Sequence, residues 1–235
     1  TRSHAWPEFR FFGDFIPDDA RVLDLGCGNG RFFGFLMEEK KSVDYTGVDF
    51  CPELLEIARQ RYPKQDFVEQ DIIHLDLSRR FDRIVCVAAF HHIPTRRLRR
   101  ISLKLMADHL EDDGLLLLSV WNLWQWKYAP LFLKGLLIAL FSFFRRDPSD
   151  VMIPFGKEKI PRYYQAFLPF ELKRLLRQTG FRIEAEKVSG HNLLFVCRKN
   201  ALVGIGQPLM TSVRKFSRLE KPSAIAAFHP SNGRS

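Results

Sequence analysis

Three acids and three glycines, all beside apolar runs, are the residues of this chain best suited to hold a ligand. Val22-Leu23-Asp24-Leu25-Gly26-Cys27-Gly28-Asn29-Gly30 reads as a buried strand entering a turn. Glycines on alternate positions there let backbone pass close to a ligand, because no Cβ is tolerated. A dinucleotide fingerprint would put its third glycine at position 31, which is Arg31. A pyrophosphate is therefore disfavoured, and S-adenosylmethionine fits better, having a ribose and an amino-acid tail but no phosphate. Asp24 is expected to face its ammonium. Asp49 closes the strand-like Tyr45-Thr46-Gly47-Val48, about twenty residues on, where such folds set a carboxylate on ribose hydroxyls. It also reads as the N-cap of a helix from Pro52 to Arg61. Asp71 follows the strand-like Asp66-Phe67-Val68-Glu69-Gln70 and is suited to accept from an adenine amine. With Gly26, Gly28 and Gly30, the neighbouring Phe50, Ile72 and Ala88 complete the expected cofactor set.

Apolar periodicity supplies the elements that must position these groups. Strand-like runs lie at Arg21 to Leu25, Tyr45 to Val48, Asp66 to Val68, Arg83 to Ala88, Leu115 to Val120, Phe181 to Lys187 and Leu193 to Arg198, with helix-like stretches between the earlier ones. Alternation of this kind predicts an α/β fold: a Rossmann-like, seven-stranded, mostly parallel sheet with helices on both faces. The last two runs leave no room for a crossover and predict an antiparallel hairpin, hence one antiparallel edge strand. Ligands in such sheets bind beyond the carboxyl ends of the strands.

At 235 residues and 46% hydrophobic content, one α/β domain over residues 1–199 is expected, with a basic, partly ordered extension over 200–235. Cys27, Cys51, Cys86 and Cys197 form no Cys-x-x-Cys pair, which points to reduced thiols in a cytoplasm and to no metal site. No signal peptide is read. Trp121, Trp124 and Trp126 crowd ahead of the apolar stretch Leu131 to Phe144, which falls short of the roughly twenty residues of a bilayer span. We expect a helical lid inserted over 122–165 after the fifth strand; packing on the sheet or attachment to a membrane surface through Arg145 and Arg146 are the alternatives.

The glycine turn, Asp49 and Asp71 resemble, in order and spacing, the class I S-adenosylmethionine-dependent methyltransferases. Within that class, Thr1-Arg2 with Trp6-Pro7, Ala89-Phe90-His91-His92, Ser119-Val120-Trp121 and Arg162-Tyr163-Tyr164 resemble the tRNA wobble-uridine carboxymethyl methyltransferases. The resemblance begins at Thr1, so a leading segment is expected to be missing. It implies esterification of a carboxymethyl group on the first anticodon base, with Arg2 and His92 at the reacting carboxylate, and a small zinc-binding activator protein as a possible partner. Where the family usually has a histidine this chain has Gln165, and its Asp-Asn-Trp-Trp element reads His191-Asn192-Leu193-Leu194.

A carboxylate acceptor is already deprotonated at neutral pH and needs no general base. It wants a cation or hydrogen-bond donors, which Arg2 and His92 would supply. An amine acceptor would call for an Asn/Asp-Pro-Pro-aromatic loop where this chain has Ala89-Phe90-His91-His92. A net charge of +9 attracts polyanions. Arg96, Arg97, Arg99 and Arg100 follow the histidines and read either as an RNA-binding rim or as a solvated helix face. His91, Arg96, Arg97, Tyr163, Tyr164 and Asn192 are the expected substrate contacts. Tyr163 and Tyr164 either stack on a base or fill the lid, and the histidines could instead be satisfied in the core. A small carboxylic acid as acceptor, or a silent cofactor-binding RNA adaptor, remain open alternatives.

Overall fold

In the computed structural model, which describes residues 6–123, 149–155 and 160–200, seven strands form one sheet. They are β1 (Ala20–Leu25), β2 (Val43–Asp49), β3 (Asp66–Glu69), β4 (Phe81–Val87), β5 (Leu110–Trp121), β8 (Phe181–Ser189) and β9 (Asn192–Lys199), in the order β3-β2-β1-β4-β5-β9-β8. All seven expected runs are strands. After β3 the chain returns to the far side of β1 as β4, so the strand order reverses between β1 and β4. That switch point opens a crevice at the carboxyl ends of both strands.

Alternation across the pleat builds two cores from single strands. Leu116, Leu118 and Val120 of β5 pack on one face with helices α4 (Arg96–His109) and α5 (Pro169–Gln178). Leu115 and Leu117 pack on the other with α1 (Pro7–Gly13) and α2 (Arg31–Glu38). Helix α3 (Pro52–Arg61) joins the second layer through Leu55 and Ala58. The one reversed strand is β9, antiparallel to both β5 and β8. It lies inside the edge: the crossover through α5 lays β8 down first, and the tight hairpin folds β9 back into the slot beside β5.

The described parts of the 122–165 insertion include a hairpin of β6 (Asp150–Phe155) and β7 (Ile160–Gln165). Val151 and Tyr164 are buried from it, in a small cluster with Leu123 and Ala166. Residues 124–148, which hold the whole apolar stretch and the helix expected on it, and the tail beyond Asn200 lie outside the described residues. Among the described residues no helix is long and apolar enough to cross a membrane.

Candidate active site

The glycine turn and Asp49 form one hydrogen-bonded unit. Gly26, Gly28 and Gly30 have φ of 75°, 53° and 76°, a region L side chains rarely enter. Gly26 and Cys27 donate their N–H groups to the carbonyl of Val48 at the end of β2. The Asp49 carboxylate accepts from the N–H of Gly28 (2.8 Å) and of Cys51 (2.9 Å). Asp49 thus ties the turn to β2, but it is not the N-cap of the helix starting at Pro52: Cys51 holds that place with no side-chain cap, because the Asp49 carboxylate is turned to Gly28 and to Cys51 itself. A carboxylate has about four acceptor positions, and two are used. A Cβ on Gly28 would meet only Leu54 Cδ1, at 3.8 Å, so the surface above the turn is open.

The other cofactor candidates border this unit. Phe50, directly after Asp49, is 56% exposed and leaves an apolar ring face open beside the turn. Asp71 accepts from the N–H of Ile73 and caps a 3-10 turn over Ile72–His74. Ile72 Cδ1 lies 4.0 Å from where a Gly26 Cβ would be. Ala88, just past the end of β4, has φ 54° while its N–H donates to the backbone carbonyl of Ser119 on β5. These residues fit a nucleoside with an open ribose edge and an apolar slot for the base.

Asp24 is 3% exposed and accepts from the Tyr45 hydroxyl at 2.7 Å. Burial, opposed by that hydrogen bond, raises its carboxyl to about 7. Between its ordinary value near 4 and about 7, the folded chain holds a proton that the unfolded chain has released, so this group's contribution to stability falls as pH rises through that window. The buried histidines act in the opposite sense. We expect Asp24→Asn to melt above the wild type by a margin that widens from pH 5 to pH 8, reaching about 1–3 kcal/mol. A margin independent of pH in thermal melts would refute the assignment.

At the ends of β4 and β5 the two histidines have distinct proton inventories. The N–H of Trp121 donates to His91 Nδ1 (3.2 Å), so the ring proton of His91 sits on Nε2. His92 Nδ1 lies 2.9 Å from the carbonyl of Tyr163, which can only accept, so His92 carries its proton on Nδ1 and a lone pair on Nε2. Burial holds His92 down to about 4 and His91 well below its ordinary value, keeping both neutral at physiological pH. As a hydrogen-bond donor to an acceptor molecule, His92 is the weaker candidate of the two. Its hydrogen is already committed, and the uncommitted donor belongs to His91.

Tyr164 is 1% exposed, its ring stacked on Trp121 (4.9 Å) and on His91 (5.3 Å). It fills the hairpin's underside and offers no free face for a base. Tyr163 donates its hydroxyl to Asp150 (2.6 Å) and is approached by Arg99. Arg99 is buried, unlike the rim expected of it. It donates to Gln165 (2.9 Å) and to the Ile93 carbonyl (3.2 Å) and tethers the hairpin to α4. Gln165 thus supplies the acceptor that a buried guanidinium requires. Arg96, Arg97 and Arg100 remain exposed on α4, with no acid in its first turn.

Asn192 lies opposite Trp121 on β9, and its amide donates to Glu8 of α1. Glu8 is a functional candidate that sequence reasoning did not single out, whereas Ser119 was read only as part of Ser119-Val120-Trp121 and Arg99 only as part of the arginine run. For Glu8 the signal is an acid sharing a helical face with Phe12, four residues on. Arg2 lies outside the described residues.

Comparison with known proteins bears on the family and the fold. Residues 4–186 match the family model described as a methyltransferase domain. A Schizosaccharomyces pombe tRNA (carboxymethyluridine(34)-5-O)-methyltransferase is 26% identical over 216 residues, 85% of this chain and 90% of that protein. The Arabidopsis thaliana protein of the same name is 27% identical over 122 residues, 52% of this chain, which spans only 29% of that relative's length. A Methanosarcina mazei S-adenosylmethionine-dependent methyltransferase superposes with a TM-score of 0.69 at 18% identity, covering 83% of this chain and 98% of that one. The chain belongs to the methyltransferase domain family and has the class I, S-adenosylmethionine-dependent fold.

Proposed function

We propose that this chain esterifies a carboxyl group on a modified wobble uridine of tRNA, with S-adenosylmethionine as methyl donor. One observation carries the choice of acceptor. Beside the crevice stands an uncommitted hydrogen-bond donor, His91 Nε2, and the neighbouring histidine, held at about 4, is too weak a base to take a proton from a hydroxyl or an ammonium at neutral pH. A carboxylate needs a donor and no base.

When bound, S-adenosylmethionine supplies an electrophilic methyl group on a sulfonium. The chain's own residues then hold and align. Gly26, Gly28 and Gly30 give backbone access, Asp49 accepts from the ribose hydroxyls, and Asp71 with Phe50 and Ile72 receives the adenine. Asp24 meets the ammonium, whose charge favours its ionised form. His91 donates to the carboxylate and so fixes it for in-line displacement. The exposed Arg96 and Arg97 suit contact with phosphates, and the names of the tRNA-modifying relatives support an RNA acceptor.

The test is transfer of labelled methyl to unfractionated tRNA. We expect label that is lost on mild base, as an ester requires, and a loss of kcat of about 10- to 100-fold in His91→Phe. Base-stable label, or label that enters small acids and not tRNA, would overturn the reading.

A further inference from the structure

Among the described residues, four buried side-chain atoms have no hydrogen-bond partner: Glu8 Oε2, His91 Nε2, Ser119 Oγ and Asn192 Oδ1. Unpaired buried polar groups destabilise a fold, and each calls for an explanation. All four gather around the last residues of β5. His91 approaches from the β4 side, through the N–H of Trp121. Asn192 flanks Trp121 on the β9 side. Ser119 lies two residues before Trp121 and opposite Leu194, so its side chain shares the sheet face of Leu117, Leu194 and α1. Glu8 is 4% exposed and reaches Asn192 from α1. The helix is held beside the glycine turn, where Arg31 lies 4.2 Å above the Trp6 ring.

The polarity of these atoms divides the site. His91 presents a donor. Asn192 donates an amide N–H to Glu8 and leaves its Oδ1 as an unpaired acceptor, and Glu8 Oε2 is likewise an acceptor. Ser119 can serve either side. A plain carboxylate satisfies His91, with Ser119 able to join it, but leaves both acceptors unpaired and brings its negative charge toward the Glu8 carboxylate. An acceptor with an N–H-bearing cation beside its carboxylate satisfies both ends. The two hydrogens of a secondary ammonium match the two free acceptors, and its charge separates the substrate's carboxylate from that of Glu8.

We propose that Glu8 and Asn192 form a subsite for a secondary ammonium, so that the preferred methyl acceptor is a carboxymethyl group carried on an aminomethyl substituent of the wobble uridine and not one joined directly to the base. The methyl bond forms to a carboxylate oxygen as the methyl–sulfur bond breaks, and the ammonium keeps its protons throughout. This specificity rests on the carboxyl-acceptor reading above.

The decisive probes are two anticodon stem-loop RNAs that differ only in carrying carboxymethyluridine or carboxymethylaminomethyluridine at the first anticodon position. The wild type should methylate the aminomethyl RNA with a kcat/KM at least about 10-fold higher, because a site built for hydrogen-bond donors rejects an analogue lacking them. In Glu8→Gln, whose side-chain carbonyl still accepts from Asn192, that ratio should collapse toward one. A wild type that uses the carboxymethyl RNA equally well or better overturns the subsite and leaves the carboxyl reading standing. A ratio that survives in Glu8→Gln removes Glu8 as its cause. If neither RNA takes methyl, the carboxyl reading itself fails and the subsite with it. The wild-type ratio requires no variant to fold.

Discussion

Gly26→Ala should lower thermal stability by about 2–4 kcal/mol, one of the largest effects expected of any single methyl group in this chain. Two costs add. At φ 75° a Cβ meets its own backbone, costing about 1–2 kcal/mol. The new methyl would also lie 2.5 Å from Ala89 Cβ, a distance that forces the turn or the segment carrying His91 and His92 to shift. A melting temperature lower by roughly 4–16 °C is expected for a domain of this size. Gly190→Ala separates the terms, because Gly190 has φ 54° with nothing within 4 Å of its Cβ position, so only the conformational cost of about 1 kcal/mol remains. Adding Ala89→Gly to Gly26→Ala should recover the steric part. If the two glycine substitutions cost the same, the tight approach of Gly26 to Ala89 is wrong.

Asp49→Ala should weaken S-adenosylmethionine binding by about 100-fold or more, measured by calorimetry. It removes the acceptor for two main-chain N–H groups, at Gly28 and Cys51, each hydrogen bond to a charged group contributing about 1.5–3 kcal/mol. Part of that gain is already offset, since burial raises the Asp49 carboxyl above its ordinary value. The stability loss should therefore be modest, about 1–2 kcal/mol, while cofactor affinity loses both the ribose acceptor and the shape of the turn. A Kd within threefold of the wild type, in a variant that melts normally, would separate Asp49 from the ligand.

The donor half of the site was legible because it is local. Glycines that need positive φ, and acids at strand ends, announce themselves within a few residues, and a helix at Pro52–Arg61 follows from Pro at its start and an apolar stripe. The acceptor half was not legible because its contacts are distant in sequence. Glu8 and Asn192 are 184 residues apart, and nothing local in either announces the other. Arg99 read as one of several rim arginines, since no property of the run Arg96 to Arg100 reveals which guanidinium the hairpin buries. The hairpin itself was missed for a related reason. Tyr163 and Tyr164 point to opposite sides of one strand, a period-2 signal only six residues long beside a much longer apolar stretch.

Because β9 runs against its neighbours, it brings its first residues, not its last, to the ligand edge. During synthesis the wall proposed to hold the donor is finished once Ala89 has left the ribosome, whereas the proposed acceptor wall waits on Trp121, the tyrosine pair and finally Asn192. Two walls drawn from such different stretches of the gene are free to drift at different rates. Exchanging a handful of late residues would then refit the cleft to new acceptors without touching the glycine turn.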